Sequence, residues 1–263
     1  LFEESFSMRF YEVSKIAFLL LHLRILRIFL HLCTPMKTFD ELVLEQLYGM
    51  ITPSKVEMFE RLAPMKSDYL TVVLENIYQE HNASAVLRTC ESFGVQSLHI
   101  IEKDCKYQVQ RDIARGAGRW VDMYNYNDEN PTITCLKQLK SNGYRILATT
   151  PHENDCTIDT IPIDTPMALV FGTEGDGISQ EVMDLADEFV KIPMYGFTES
   201  FNISVSAAIS MYALRSRLEK SDVSWRMTPE ELVALKIKWC TRIIPHGNKV
   251  VPEVIKRLKV NFL

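Results

Sequence analysis

The sequence predicts an α/β protein: a parallel sheet flanked by helices on both faces. Two observations carry this. From about residue 69 to residue 218, short apolar runs rich in β-branched residues alternate with helical patterns, several of them stopped by glycine. The stretch from Leu169 to Met211, LVFGTEGDGISQEVMDLADEFVKIPMYGFTESFNISVSAAISM, then places three loops within about forty residues. Open α/β sheets bind ligands at the carboxyl ends of their strands, so these loops are the expected ligand site.

Composition narrows the function classes. An apolar fraction of 47% in 263 residues excludes a disordered chain. The formal net charge of -5 argues against a protein that coats nucleic acid over its whole surface, but leaves room for a local basic patch. Six cysteines (Cys33, Cys90, Cys105, Cys135, Cys156, Cys240) form no C-x-x-C pair. They read as reduced thiols of a cytoplasmic protein, without a zinc ribbon or a disulfide framework. Residues 16–33 are apolar, but Arg24 and Arg27 interrupt them and Ile16 to Leu21 is too short to cross a bilayer. Glu3, Glu4 and Glu12 spoil a signal-peptide n-region. No membrane association is expected; Met36 reads as a start, and residues 1–35 as a non-native, disordered or helical extension.

In chain order, FDELVLEQLY (39–48) has helical spacing with Asp40 and Glu41 at its favourable end, and Ser54 to Leu62 begins a second helix after Thr52-Pro53. These make a helical N-terminal extension over 36–68. Tyr69 to Leu74 is a buried-strand run, Asn82 to Phe93 a helix closed by Gly94, and Ser97 to Ile101 a strand. Val109 to Ala117 reads as a helix, Asp122 to Tyr126 as a strand, Ile133 to Asn142 as a helix stopped by Gly143, and Arg145 to Thr149 as a strand. Ala168 to Phe171 (strand), Ser179 to Asp187 (helix), Phe189 to Ile192 (strand) and Ser204 to Leu218 (helix) complete a domain over 69–220. From Arg226 onward eight Lys or Arg face three carboxylates, so 221–263 is a basic helical C-terminal extension on an acidic chain.

The residues that could carry chemistry fall in two regions. Gly172 to Gly177 lacks the lysine of a phosphate loop and the spacing of a dinucleotide fingerprint, and its carboxylates would repel a pyrophosphate. It suits a ligand with hydroxyl or amino donors; equally, glycines and acids before a helix make an ordinary strand-to-helix turn. In the first half, Asn82 precedes a helical pattern, where an N-cap is the common role, and Arg88 falls among Val86, Leu87 and Cys90, with Glu91 as its structural partner at i+3. His81 alone carries little weight.

Taken together, N-x5-N-x5-R before a Phe-Gly turn, then FGTEGDGIS, then IPMYGFTESFNISVSAA resemble the three signature motifs of the SpoU/TrmH family of RNA 2′-O-ribose methyltransferases, within the SPOUT superfamily. The resemblance runs from about Leu70 to Leu218. The flanks counted from Met36 resemble the TrmH branch, which methylates guanosine 18 in the D-loop of tRNA. Methylation of ribosomal RNA, or a non-catalytic RNA-binding factor that retains the fold, are the alternatives.

The resemblance implies a deep C-terminal trefoil knot, S-adenosylmethionine as methyl donor, no metal, tRNA as substrate and a homodimer with sites near the subunit interface. It assigns Arg88, Asn82, Glu174, Ser200 and Asn202 to the catalytic motifs. Arg88 would bind phosphate and ribose and favour the alkoxide; literal general-base action is the stronger version. Thr149, Gly172, Gly175, Ile192, Met194 and Phe201 would hold the donor. Position 201 is usually leucine in the family and is phenylalanine here, a departure that bears on the pocket's shape. His81, Arg111, Arg115, Arg119, Arg215, Lys236 and Arg242 would meet RNA, although any single one of them is as readily a solvated surface cation.

Overall fold

A computed structural model describes residues 37–103, 106–150, 156–173 and 175–262. The expected extension over 1–35, Met36 and the motif carboxylate Glu174 lie outside the described residues. The chain divides into two compact units, Leu1–Val43 and Leu44–Leu263. In the first, a reciprocal cap starts helix α1 (Phe39–Tyr48): the Thr38 amide donates to Glu41 Oε2 at 2.7 Å, and the Glu41 amide to Thr38 Oγ1 at 3.3 Å. All that follows concerns the second unit.

Among the described residues seven strands form one sheet: β1 (Leu70–Glu75), β2 (Ser97–Ile101), β3 (Asp122–Tyr126), β4 (Arg145–Thr149), β5 (Cys156–Thr157), β6 (Met167–Phe171) and β7 (Glu188–Lys191). Their order is β3-β2-β1-β6-β4-β7-β5, and every pairing is parallel. Strands β1, β2 and β6 are buried along their whole length, which is why they read as continuous apolar runs rather than alternating ones. Their side chains still alternate between faces. Val72, Leu74, Leu169 and Phe171 point into the core built with α3 (Glu80–Ser92) and α7 (Ile203–Glu219). Val73, Ala168 and Val170 point to the other, with α5 (Pro131–Ser141) and α6 (Gln180–Leu185).

The expected strands over 97–101, 122–126 and 145–149 occur at those bounds, and the others shift by one residue at either end. β5 was not expected; two residues carry no periodicity to read. The helix expected over 109–117 is shorter. α4 covers Arg111–Ala114 and stops because Arg115 takes a left-handed φ of 48°, after which a 3₁₀ turn runs over Ala117–Arg119. That break delivers Trp120 to an edge-to-face cluster with Phe59 of α2 (Pro53–Leu62) and Trp239 of α8 (Pro229–Ile243), at centroid distances of 5.1 to 5.9 Å. The preface after residue 44 and the basic tail are therefore packed together.

Helix α8 is fixed at several points. Thr228 and Glu231 form a capping box, Lys236 pairs with Glu60 at 2.9 Å, and Asp122 on β3 takes both Lys238 Nζ at 2.6 Å and the Arg242 guanidinium. α9 (Gly247–Phe262) completes the tail, and no helix among the described residues is long and apolar enough to cross a membrane.

Gly94 ends α3 as the pattern requires. Its φ is +74°, its amide donates to Glu91, and the Val95 amide reaches back to Cys90 at 2.9 Å. A Cβ here would stand 2.2 Å from the Met65 carbonyl oxygen. Gly94→Ala should therefore lower unfolding stability by more than about 1 kcal/mol in a urea titration; an unchanged midpoint would contradict this packing.

Candidate functional site

At the carboxyl ends of β4, β6 and β7 the sheet opens into a cavity of about 740 Å³, within the usual range for a small-molecule site. Strand ends provide Thr149, Phe171, Val190 and Lys191, and the following loops provide the rest of the wall. Thr149, Gly172, Gly175, Ile192, Met194 and Phe201, the six positions that the family resemblance assigns to a ligand, all line it. Phe171, Ile178, Met183, Ile192, Met194 and Phe201 make an apolar side, while Asp176, Glu199, Ser200 and Asn202 are polar and lie on the loops.

The glycine loop is closed on itself. Thr173 and Gly177 exchange backbone bonds of 2.8 and 3.2 Å, and the Asp176 amide donates to Thr173 Oγ1 at 3.0 Å. A side chain at Gly172 would put Cβ 2.0 Å from the Gly177 carbonyl oxygen, so only glycine permits this closure. Beyond the loop, Ser179 caps α6 by accepting from the Val182 amide at 3.3 Å.

Sequence reasoning missed the residue that anchors this cap. Glu75, the last residue of β1, is 3% exposed. Its Oε2 accepts from the Ser179 amide at 2.9 Å, and its Oε1 from Ser179 Oγ at 2.6 Å and Thr132 Oγ1 at 3.0 Å. The one available signal was a carboxylate ending an otherwise apolar run, which is also how an ordinary strand ends.

The first and third motifs meet directly. Asn202 Nδ2 donates to Asn82 Oδ1 at 3.2 Å, and Asn202 Oδ1 accepts from Ser204 N and Oγ at 2.9 and 2.6 Å, capping α7 at the cavity rim. The capping role expected for Asn82 is a different one in the structure. α3 begins two residues earlier, at Glu80, so Asn82 lies in its first turn, buried, with its Nδ2 donating to Gln79 Oε1 at 2.9 Å.

Arg88 does not line the cavity. It lies on the exposed side of α3, seven residues on from the exposed His81 and hence on the same face. The expected i+3 partner is occupied: Glu91 holds Lys66 Nζ at 3.3 Å, and the same ammonium donates to the Glu91 carbonyl at 2.9 Å. Burial pulls the Lys66 ammonium below its usual range, and the Glu91 charge opposes that pull. Arg88 carries no side-chain hydrogen bond or ion pair to the described residues.

The cations expected to meet RNA sort into two groups. Arg111, Arg115 and Arg119 are exposed, with no carboxylate partner among the described residues. Arg215, Lys236 and Arg242 are instead engaged within the chain: Arg215 bonds Glu219 and the Met65 carbonyl and lies 4.1 Å over Trp225, Lys236 holds Glu60, and Arg242 holds Asp122. On α9, Lys249, Lys256 and Arg257 are exposed. Among the described residues no three His, Cys, Asp or Glu side chains gather as a metal site would need.

Comparison with known proteins agrees with this geometry. The profile of the SpoU rRNA Methylase family matches residues 69–212. A Borreliella burgdorferi protein named tRNA (guanosine(18)-2′-O)-methyltransferase is 40% identical over 198 residues, covering 75% of this chain and 89% of the relative. A Thermus thermophilus protein of the same name is 32% identical over 169 residues, 64% of this chain and 86% of the relative. The crystal structure of the A. aeolicus TrmH/SpoU tRNA modifying enzyme superposes with a TM-score of 0.65 at 28% identity, covering 73% of this chain and 98% of that one.

The Asn82–Asn202 bond makes a quantitative expectation. In a double-mutant cycle of Asn82→Ala and Asn202→Ala followed by urea unfolding, the coupling should be about 0.5–1.5 kcal/mol. Strict additivity of the two losses would show that the bond contributes nothing.

Proposed function

This chain belongs to the SpoU methylase family, and from that premise we propose that it transfers a methyl group from S-adenosylmethionine to a ribose 2′-hydroxyl of tRNA, at guanosine 18 of the D-loop. One observation carries the proposal. Six residues that the family resemblance assigns to the methyl donor converge on one cavity, and Asn82 of the first motif is bonded to Asn202 of the third at its rim.

The cavity fits the donor chemically. Asp176 and Glu199 complement a ligand that carries a sulfonium and an ammonium, while Phe171, Ile192, Met194 and Phe201 offer an apolar wall to an adenine ring. When bound, S-adenosylmethionine supplies an electrophilic methyl group whose transfer needs no metal. The chain's own residues do the rest. The loop backbones of Gly172–Gly177 and Ile192–Gly196 hold the donor, and the apolar wall excludes water. Asn202, tethered by Asn82 and with Ser200 beside it, orients the ribose for an in-line approach. Arg88 binds the ribose and its phosphate; a guanidinium stays protonated, so it lowers the energy of the developing alkoxide by charge and hydrogen bonding. Glu174 fixes the loop or Arg88 itself. In this reading the three loops are the turns of the family's trefoil knot, and the enzyme works in the cytoplasm on tRNA.

The position of Arg88 supports a homodimer. It stands outside its own chain's cavity, yet the mechanism needs it at the reacting ribose. Helix α7 turns Val205 and Tyr212 to solvent, and Tyr195 and Phe197 on the preceding loop are almost fully exposed. Exposed large apolar side chains of this kind suit an interface. Isologous pairing through this face brings Arg88 of one subunit to the cavity of its partner. The exposed arginines 111, 115 and 119 and the α9 cations Lys249, Lys256 and Arg257 then meet tRNA phosphates. Arg215, Lys236 and Arg242 serve RNA by holding the tail in place.

The deciding experiment incubates purified protein with labelled S-adenosylmethionine and unmodified tRNA, then maps ribose methylation. Label at guanosine 18 is expected; transfer to ribosomal RNA alone would move the assignment to that substrate, and no transfer to any tRNA or rRNA would overturn the enzyme. Arg88→Ala should reduce the rate by at least about 100-fold while donor affinity is kept. Gly172→Ala should remove donor binding itself, read by calorimetry. Mixing inactive Arg88→Ala and Asn202→Ala subunits should restore about a quarter of wild-type activity, because half of the dimers are then hybrids with one intact site of two; no recovery after verified exchange would sink the shared site.

A further inference from the structure

Four buried side-chain atoms among the described residues lack a hydrogen-bond partner: Gln96 Oε1, Arg145 Nε, Trp239 Nε1 and Ser210 Oγ. Of these residues only Ser210 lines the cavity. It is 1% exposed and sits in the middle of α7. A helical serine or threonine has an easy local remedy, a bond to the carbonyl four residues back. Thr89, Ser92 and Thr241 all take it, at 2.9 to 3.0 Å. Ser210 does not; its hydroxyl is buried without a partner in a residue that lines the cavity.

An unsatisfied buried hydroxyl costs about 1–3 kcal/mol, a cost that a ligand bound beside it would offset. We infer that Ser210 Oγ is a hydrogen-bonding contact for the nucleoside end of the bound methyl donor. This rests on the reading of the cavity as the donor site. The choice of end follows from the fold. Asn202, where the ribose acceptor is oriented, lies at the N-terminus of α7, and Ser210 is eight residues further on, about 12 Å along the helix. Asp176 and Glu199 lie on the mouth loops, where a carboxylate suits the amino group of the methionine end. Phe171 and Val190, at the ends of β6 and β7 and away from those mouth loops in sequence, line the same cavity and suit a purine. A hydroxyl donates and accepts, so it can meet either a ring nitrogen or a ribose oxygen. Nothing in the motif pattern points to position 210; it follows from burial and the missing bond.

The test compares wild type with Ser210→Ala by calorimetry, using S-adenosylhomocysteine and 5′-methylthioadenosine, which keeps the nucleoside but lacks the amino-acid end. Ser210→Ala should weaken both ligands by about three- to tenfold. The melting temperature of the ligand-free variant should equal or exceed that of wild type, since an unpaired buried hydroxyl has been removed. Wild-type affinity for both ligands would overturn the inference, as would a loss confined to S-adenosylhomocysteine, which would put the contact at the other end. A variant that melts lower with affinities unchanged would assign the hydroxyl to the fold and equally overturn it. Failure of wild type to bind S-adenosylhomocysteine is a separate result, and it would strike the donor-site reading itself.

Discussion

A single buried carboxylate holds the site in register. Glu75 ends the central strand β1 in a place where an ion without partners would be costly, and it is stable there because Thr132 and Ser179 supply three donors. Those donors come from two different helices on one face of the sheet, one from α5 and two from the start of α6. The carboxyl edge of the sheet, the helix that follows the glycine loop and the neighbouring helix are thus tied at one point. The loop between Gly172 and Gly177 closes on itself by backbone bonds, but Glu75 decides where it stands relative to β4 and β7. A neutral amide in its place would keep the shape, but would replace one of the acceptor oxygens with a donor facing donors.

The electrostatics of the first motif depend on a similar arrangement. Lys66 is buried, and its ammonium is satisfied by Glu91 through both carboxylate and carbonyl. That pairing removes from Arg88 the carboxylate that helix spacing would give it. The guanidinium therefore faces solvent without a carboxylate partner among the described residues, available to a phosphate. Elsewhere the opposite choice is made. Asp122, Glu60 and Glu219 take up cations of the basic tail, so a segment whose composition looks like an RNA surface is in large part a clamp between helices, while Lys249, Lys256 and Arg257 of α9 stay exposed.

Much of this was legible in the residues. Buried parallel strands such as Ser97–Ile101 announce themselves by unbroken apolar runs, and Gly94 and Gly143 mark helix ends because few other residues adopt the conformation required there. The motif residues of the cavity were legible as a family pattern, and the cavity brings them together. What was not legible depends on contacts between distant segments. Asn82 looked like a cap because local spacing cannot reveal that α3 starts earlier, or that a partner waits 120 positions away. Arg115 leaves the helical region just before Gly116, a local signal that competes with the helical spacing over 109–117, and the break serves a contact no spacing reveals, Trp120 with Phe59 and Trp239. Glu75 and Ser210 are ordinary residues in ordinary runs, and only burial separates them from their neighbours.

The strand order bears on how the chain reaches this state during synthesis. β1, β2 and β3 pair in sequence and can assemble as they emerge, but the other edge of β1 is completed by β6, residues 167–171. A ribosome working at about 5–20 residues per second needs roughly 3–13 s to pass from the end of β2 to the start of β6. Throughout that interval an apolar strand edge is open to wrong pairings, and long-range parallel pairing is slow once its partner arrives. The nascent chain thus spends those seconds half-sheeted, with the edge of β1 that β6 will cover still open.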